Sequence, residues 1–380
     1  MKIVVAIDSF KGCLSSLEAG LAVRNGVFRV YPDADVIVKP LADGGEGTTD
    51  ALVRSLGGEY VKVDVCGPML DRVEATYGMI PDEKLAIIEM ASASGLTLVD
   101  EKKRNPWKAT SFGVGQMIND AISRGCREFI IGIGGSATND AGLGMLSALG
   151  FEFIDEEEEK VGITAENLCK IKTIDHKNVN DLLPECNFRI ACDVNNPLCG
   201  ENGATYIYGP QKGVLEKDKA ILDLDIKHFA AITEDFVHID NSHYPGAGAA
   251  GGIGFAFLSY LNGKLLPGVE LIIDAIGLES DLLNADFVVT GEGCLDHQTS
   301  MGKAPVGVAK LAKKHGATVI GIAGAVSEDA GNCNENGIDA YFSIQQKITS
   351  FADAVDKNNA ISNIENTTEQ VFRLIRASGS

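Results

Sequence analysis

The chain opens Met1-Lys2-Ile3-Val4-Val5-Ala6-Ile7-Asp8, five apolar residues in a row with no polar alternation. A run that is apolar on both faces suits a strand inside a parallel sheet, where helices cover both sides. Ser15, with Glu18 three residues on, then spells a capping box, and Leu17, Leu21 and Phe28 follow at helical spacing. Val36–Leu41 reads as the next strand, and a helix runs from about Thr48 to Leu56. The pattern lapses after Gly57-Gly58. Tyr60–Val65 and Val73–Ile80 read as short strands around Gly67-Pro68 with no helix between them. It returns at Phe287–Thr290, with a helix over Pro305–His315, a strand over Val319–Ala323 and another over Tyr341–Ile344. The expected fold is therefore α/β, a discontinuous doubly wound parallel-sheet domain (Rossmann- or flavodoxin-like) made of 1–65 plus 285–380. A second α/β domain, 66–284, is inserted into it, with the active site expected in the cleft between the two.

Between the outer pieces the sequence predicts helices over 111–123, 139–149, 216–236, 251–262 and 269–276, and strands over 128–133 and 188–192. The charge run Asp155–Lys160 reads as a solvated loop. No internal repeat is present. Formal charge is −20, from 33 basic and 53 acidic side chains. Such a field repels phosphate backbones and anionic lipid, so nucleic-acid and membrane partners are not expected. No stretch reaches the roughly 18 apolar residues of a membrane span, and the N-terminal run is too short for a signal peptide. The nine cysteines are odd in number with no C-x-x-C pair, which reads as reduced thiols in a cytoplasmic protein.

Glycine is abundant, 43 of 380 residues against roughly 7% on average, and it clusters after the apolar runs. Four such loops belong to the outer pieces: Asp8-Ser9-Phe10-Lys11-Gly12, Asp43-Gly44-Gly45-Glu46-Gly47, the stretch from Gly291, Glu292 and Gly293 through Asp296 and His297 to Lys303, and Gly324–Ser327. Carboxylates for Mg²⁺, lysines for phosphate charge and glycines for close backbone approach are the inventory of phosphoryl transfer. The insert adds Gly132-Ile133-Gly134-Gly135-Ser136-Ala137-Thr138-Asn139-Asp140 between an apolar strand and a helix. Gly134, Gly135, Ser136, Ala137 and Thr138 are candidates for a phosphate cradle. The same string fits G-x-G-x-x-A with Asp155 near the ribose-binding position, so a nicotinamide-dependent hydroxy-acid oxidoreductase is an alternative reading. Asp193 ends a predicted strand, and Gly246–Gly252 opens an apolar helix, where close packing by small residues is an equal explanation. There is no G-x-x-x-x-G-K-[ST] loop and no H-E-x-x-H, which excludes a P-loop NTPase and disfavours zinc. Trp107 reads as a core or interface residue.

The strings DSFKG at 8–12, DGGEG at 43–47, GGSATND at 134–140, DVNNPLCGENGATYIYGPQKG at 193–213, GAGAAGGIG at 246–254 and TGEGCLDHQTSMGKAPVGVA at 290–309 resemble the type I glycerate kinases, in that family's order over nearly the whole chain. One departure is Ala141, where a second glycine is expected. The resemblance implies an ATP- and Mg²⁺-dependent kinase of D-glycerate in sugar-acid or glyoxylate catabolism, with 2-phosphoglycerate favoured over 3-phosphoglycerate. On that basis Lys11 or Lys303 neutralises the glycerate carboxylate or the moving phosphoryl group. Asp43, Asp193 and Asp296 hold the metal or accept the hydroxyl proton, with Asp8 beside them. The expected partners are glycerate and ATP, with monomer or homodimer left open. A sugar-acid sensor without turnover is a further alternative, disfavoured by the Asp and Lys residues in three loops.

Overall fold

The computed structural model describes residues 1–300 and 303–379. Numbered in chain order, its strands are β1 (Lys2–Ile7), β2 (Asp35–Pro40), β3 (Glu59–Cys66), β4 (Arg72–Ile80), β5 (Leu85–Glu89), β6 (Glu128–Gly132), β7 (Glu152–Ile154), β8 (Thr173–Asp175), β9 (Asn187–Ala191), β10 (Lys264–Leu266), β11 (Phe287–Leu295), β12 (Thr318–Val326) and β13 (Ala340–Ser343). The chain divides into two compact units.

The first unit is discontinuous, comprising Met1–Asp43, Asp50–Leu56 and Val269–Ser380. Its five-stranded sheet runs β13-β12-β11-β1-β2, parallel throughout. Both faces of β1 are buried as its apolar run requires. Ile3, Val5 and Ile7 join a core with Val23, Val27, Ile364 and Phe372, and Val4 and Ala6, equally buried, point the other way. The helix Ser16–Phe28 begins on the expected capping box, with Ser15 and Glu18 bonding each other's backbone N–H groups.

That helix does not bury the face read from the sequence. Phe28 is exposed and Leu17 and Leu21 are half-buried, while Ala19, Ala22, Val23, Gly26 and Val27 face inward. The reason is close helix packing. A Cβ on Gly26 would sit 2.6 Å from the Glu365 carbonyl oxygen of the C-terminal helix Lys357–Ser378.

The second unit, Gly44–Thr49 plus Gly57–Gly268, holds a six-stranded mixed sheet ordered β10-β9-β6-β5-β4-β3 and a separate β7–β8 hairpin. The pairs β3–β4 and β4–β5 are antiparallel and the remainder of the large sheet is parallel. These limits differ from the boundaries expected near 65 and 285. β3 pairs with β4 along its whole length, which draws it into the second sheet. Val269 packs where a side chain on Gly307 of the first unit would sit, so the helix beginning there joins the first unit.

Several elements depart from their predicted spans. Residues 139–142 are not helical; the helix begins at Leu143, because Ala141 and Gly142 take positive φ of 50° and 78°. The stretches Gly291–Leu295 and Gly324–Val326, read as loops, are the continued ends of β11 and β12, paired in register from Glu292↔Ala323 to Leu295↔Val326. Among the described residues no helix is long and apolar enough to cross a membrane.

Candidate active site

In the first unit the carboxyl ends of β1, β2 and β11 gather charge where open parallel sheets bind ligands. Asp8, 5% exposed, follows β1; its Oδ1 accepts from the Ser9 N–H at 2.6 Å, and its own N–H donates to the Gly291 carbonyl at 2.9 Å. The chain then closes a tight loop, with the Phe10 N–H donating to Leu14 O at 2.9 Å, so that Lys11 and Gly12 project outward. Lys11 Nζ reaches Asp43 Oδ2 at 3.2 Å, beyond the end of β2.

Burial, then the charge of Asp43, pushes the Asp8 carboxyl up to about 7. Burial pulls the Lys11 ammonium down, but Asp43, Asp8 and Glu292 outweigh it and the net shift is upward. Glu292, on β11, is pushed up mainly by burial, while the Thr299 hydroxyl donating to its Oε1 at 2.6 Å and the charge of Lys303 act the other way. Thr299 also ties down Asp296: its N–H donates to Asp296 Oδ1 at 3.0 Å, and the Asp296 N–H donates to Thr299 Oγ1 at 3.0 Å. Lys303 stands in extended backbone at the residue before the helix Ala304–Lys314. Met301 and Gly302, part of the loop read from the sequence, lie outside the described residues.

Gly291 has a packing reason to be glycine, since its Cβ would stand 1.8 Å from the Ile322 carbonyl oxygen on β12. That accounts for the residue without any phosphate.

The second unit gathers backbone instead of charge. After β6, Gly134 and Gly135 are exposed and Ser136 through Asp140 are buried; Gly135 takes φ of 71°. The Ala137 N–H already donates to Ser94 O at 2.9 Å, so of the five cradle candidates Ala137 is no backbone donor to a ligand. Asp140 is buried and accepts from the Ser111 N–H and hydroxyl at 2.8 and 2.7 Å and from the Gly144 N–H at 3.2 Å, an anchor for the turn. Beneath the turn lies Lys212, 2% exposed, donating to Ser136 Oγ at 2.8 Å and Thr138 O at 2.7 Å.

The Gly44–Thr49 stretch packs beside this turn: a Cβ on Gly132 would meet the Gly44 carbonyl oxygen at 2.6 Å. Glu89, at the end of β5, holds that stretch by accepting from the Thr49 N–H at 2.7 Å, and burial pushes its carboxyl up. Asp193, just past β9, accepts from the Gly268 N–H at 2.8 Å. The Gly246–Gly252 glycines serve close packing. Side chains at Gly251 and Gly252 would strike Thr138 O at 2.1 Å and Ala141 Cα at 2.6 Å.

A profile of the glycerate kinase family matches residues 3–376. The chain belongs to that family. It is 45% identical to a glycerate kinase of Halalkalibacterium halodurans over 94% of each chain, and 43% identical to the glycerate 2-kinase of Escherichia coli over 93% of each. A Salmonella typhimurium LT2 protein solved as a candidate glycerate kinase 2 superposes with a TM-score of 0.92 at 42% identity, covering 100% of this chain and 99% of that one. The protein is thus an enzyme of the kinase class.

Membership of the glycerate kinase family agrees with the topology, which removes the nicotinamide alternative. A dinucleotide fold carries its acidic residue at the end of the next parallel strand. Here β7 pairs antiparallel with β8 outside the large sheet, and Asp155 sits in a local loop closed by the Ile154–Lys160 bridge, its N–H donating to Glu159 O at 3.0 Å. Of the residues read as site candidates, Asp8, Lys11, Asp43, Glu292, Asp296 and Lys303 act on one another electrostatically within the first unit. Gly134–Thr138 and Asp193 belong to the second unit. Glu89 and Lys212 are additions; for Lys212 the one sequence signal is a lysine enclosed by Gly209-Pro210 and Gly213. Trp107 packs against the second unit's core.

Proposed function

We propose that the enzyme transfers the γ-phosphoryl group of ATP to a hydroxyl of D-glycerate, with 2-phosphoglycerate as the product, in sugar-acid or glyoxylate catabolism. The observation that carries this reading is Asp8, a buried carboxyl whose pKa of about 7 suits a general base at neutral pH. In this reading Asp8 takes the hydroxyl proton as the oxygen attacks phosphorus. Lys11, held charged by Asp43, balances the negative charge spread over the equatorial oxygens. Lys303 neutralises the substrate carboxylate, and the turn Gly134–Ser136 with Thr138 receives phosphate oxygens.

A Mg²⁺ ion fits the donor set, because Asp43, Glu292 and Asp296 offer only carboxylate oxygens, the ligands a hard cation takes. Among the described residues no three His, Cys, Asp or Glu side chains are set to hold an ion. Asp43 and Asp296 would therefore supply one or two ligands each to an ion bound chiefly by phosphate and water. When bound it supplies charge neutralisation at the phosphates. All nine cysteines are unpaired thiols, which supports a reducing, cytoplasmic setting.

The test is ADP formation by the purified protein with ATP and Mg²⁺. Turnover that depends on D-glycerate supports the reading; glycerate-independent ATP hydrolysis, or none at all, overturns it.

A further inference from the structure

Lys212 lies in the short 3₁₀ turn Pro210–Lys212 of the second unit, 2% exposed and among the largest buried side chains of the chain. Lysine is rarely buried unless a carboxylate pairs with it, because removing an ammonium from water is costly. Here its hydrogen bonds, among the described residues, go to two neutral oxygens, Ser136 Oγ at 2.8 Å and Thr138 O at 2.7 Å. Both belong to the turn after β6. An ammonium has a third N–H to give.

Two charged groups lie nearby. Asp140 is committed to Ser111, Gly142 and Gly144, and the Arg104 guanidinium donates to the Gln211 carbonyl at 3.1 Å. The same turn carries a second anomaly. Among the described residues, Thr138 Oγ1 and Asn139 Oδ1 are buried with no hydrogen-bond partner, where native interiors satisfy nearly all such atoms. A buried cation without a bonded counter-charge, behind a turn whose glycines are open to solvent, is an arrangement completed by an anionic ligand.

We infer that Lys212 is a positioning residue: acting through Ser136 and Thr138, it gives the Gly134–Thr138 turn the fixed shape and positive charge with which that turn holds a substrate oxyanion. This deepens the kinase reading and rests on it. The oxyanion is either a nucleotide phosphate or the glycerate carboxylate, and the two share the chemistry required.

Burial pushes the Lys212 ammonium down to about 7, against the pull of Asp140. The free enzyme is then partly deprotonated at neutral pH, and an arriving oxyanion draws a proton onto the lysine. By linkage, oxyanion affinity falls as pH rises above about 7, by up to about tenfold per pH unit, until the pKa of the complex is passed.

Calorimetric titration of the wild type, Lys212→Met and Lys212→Arg with Mg²⁺–ADP and, separately, with D-glycerate between pH 7.5 and 9.5 tests this. Near-UV circular dichroism checks the fold of each variant. The expected result is at least a tenfold loss of affinity for one of the two ligands in Lys212→Met, which names the source of the oxyanion. Lys212→Arg, charged at every pH used, restores binding without the pH slope. Affinities within twofold of wild type for both ligands in Lys212→Met would overturn the inference. So would a wild-type pH slope persisting in Lys212→Arg, a result that decides even where Lys212→Met does not fold. Wild-type protein that turns over glycerate while Lys212→Met binds normally sinks this inference alone; wild-type protein with no turnover sinks the kinase reading first.

Discussion

Two lysines, one in each unit, stand in opposite electrostatic surroundings. Lys11 is 63% exposed at the side chain and bridged to Asp43 at 3.2 Å, and the carboxylates around it raise its pKa. Lys212 is buried on neutral oxygens, and burial lowers its pKa to about 7. The first is a permanent cation, suited to charge that appears only in a transition state. The second is a full cation only when an anion joins it. A sheet edge lined with carboxylates and a turn lined with backbone thus present positive charge in different ways, one always on and one conditional on ligand.

The comparison breaks most readily at Lys11. Lys11→Met is expected to lower kcat/KM by about 10²-fold or more. Its melting temperature should hardly move, because an exposed ion pair adds little stability. Normal kinetics in this variant would remove Lys11 from the site.

Asp8 sharpens the same side. Asp8→Asn should lower kcat by about 10²-fold, the reach of a general base, yet stabilise the metal-free protein. The folded carboxyl titrates near 7 and the unfolded one near 4. Between those values the fold keeps a proton that the unfolded chain has released, so this group's contribution falls as pH rises from 4 to 7 and is least favourable above 7. Asn removes the penalty. The gain, about 4 kcal/mol at pH 8, should vanish at pH 4. Denaturant melts at both pH values check it, and an equal gain at both would show that Asp8 is not held protonated.

Much of the first unit's frame is legible in the chain. Ile3–Ile7 and Phe287–Val289 are continuous apolar runs, and adjacent parallel strands are what such runs form. The second unit is harder to read. β5, only Leu85–Glu89, lies one residue after Asp82 and Glu83 with Lys84 between, so the strand that delivers Glu89 looks like part of a charged turn. The helix Lys357–Ser378 buries Ala360, Ile364, Thr367, Thr368, Val371 and Phe372, a regular stripe whose threonines dilute its apolar signal. Lys212 is marked locally only by its flanking glycines, since the oxygens that hold it, on Ser136 and Thr138, lie more than 70 residues away. The Asp8–Ser9 and Asp43–Gly44 loops are legible because one short string holds both the carboxylate and the glycine.

A smaller effect is expected at Ala141, which takes φ of 50°, a region that costs a residue with a Cβ. Ala141→Gly should stabilise the protein by about 0.5 kcal/mol with kcat unchanged. A loss of stability would mean that the buried methyl outweighs the strain. The smallest effect belongs to Asp155. Asp155→Ala should change kcat/KM less than twofold, and NADH fluorescence should not respond to the wild-type protein. A saturable NADH signal would reopen the dinucleotide reading.

The most direct measurement is a phosphorus NMR spectrum of D-glycerate, ATP and Mg²⁺ after turnover by the wild-type enzyme. The account predicts ADP together with a phosphomonoester doublet, split by the single C2 proton of 2-phosphoglycerate. A triplet from a CH₂ group, or ADP with inorganic phosphate alone, would contradict it.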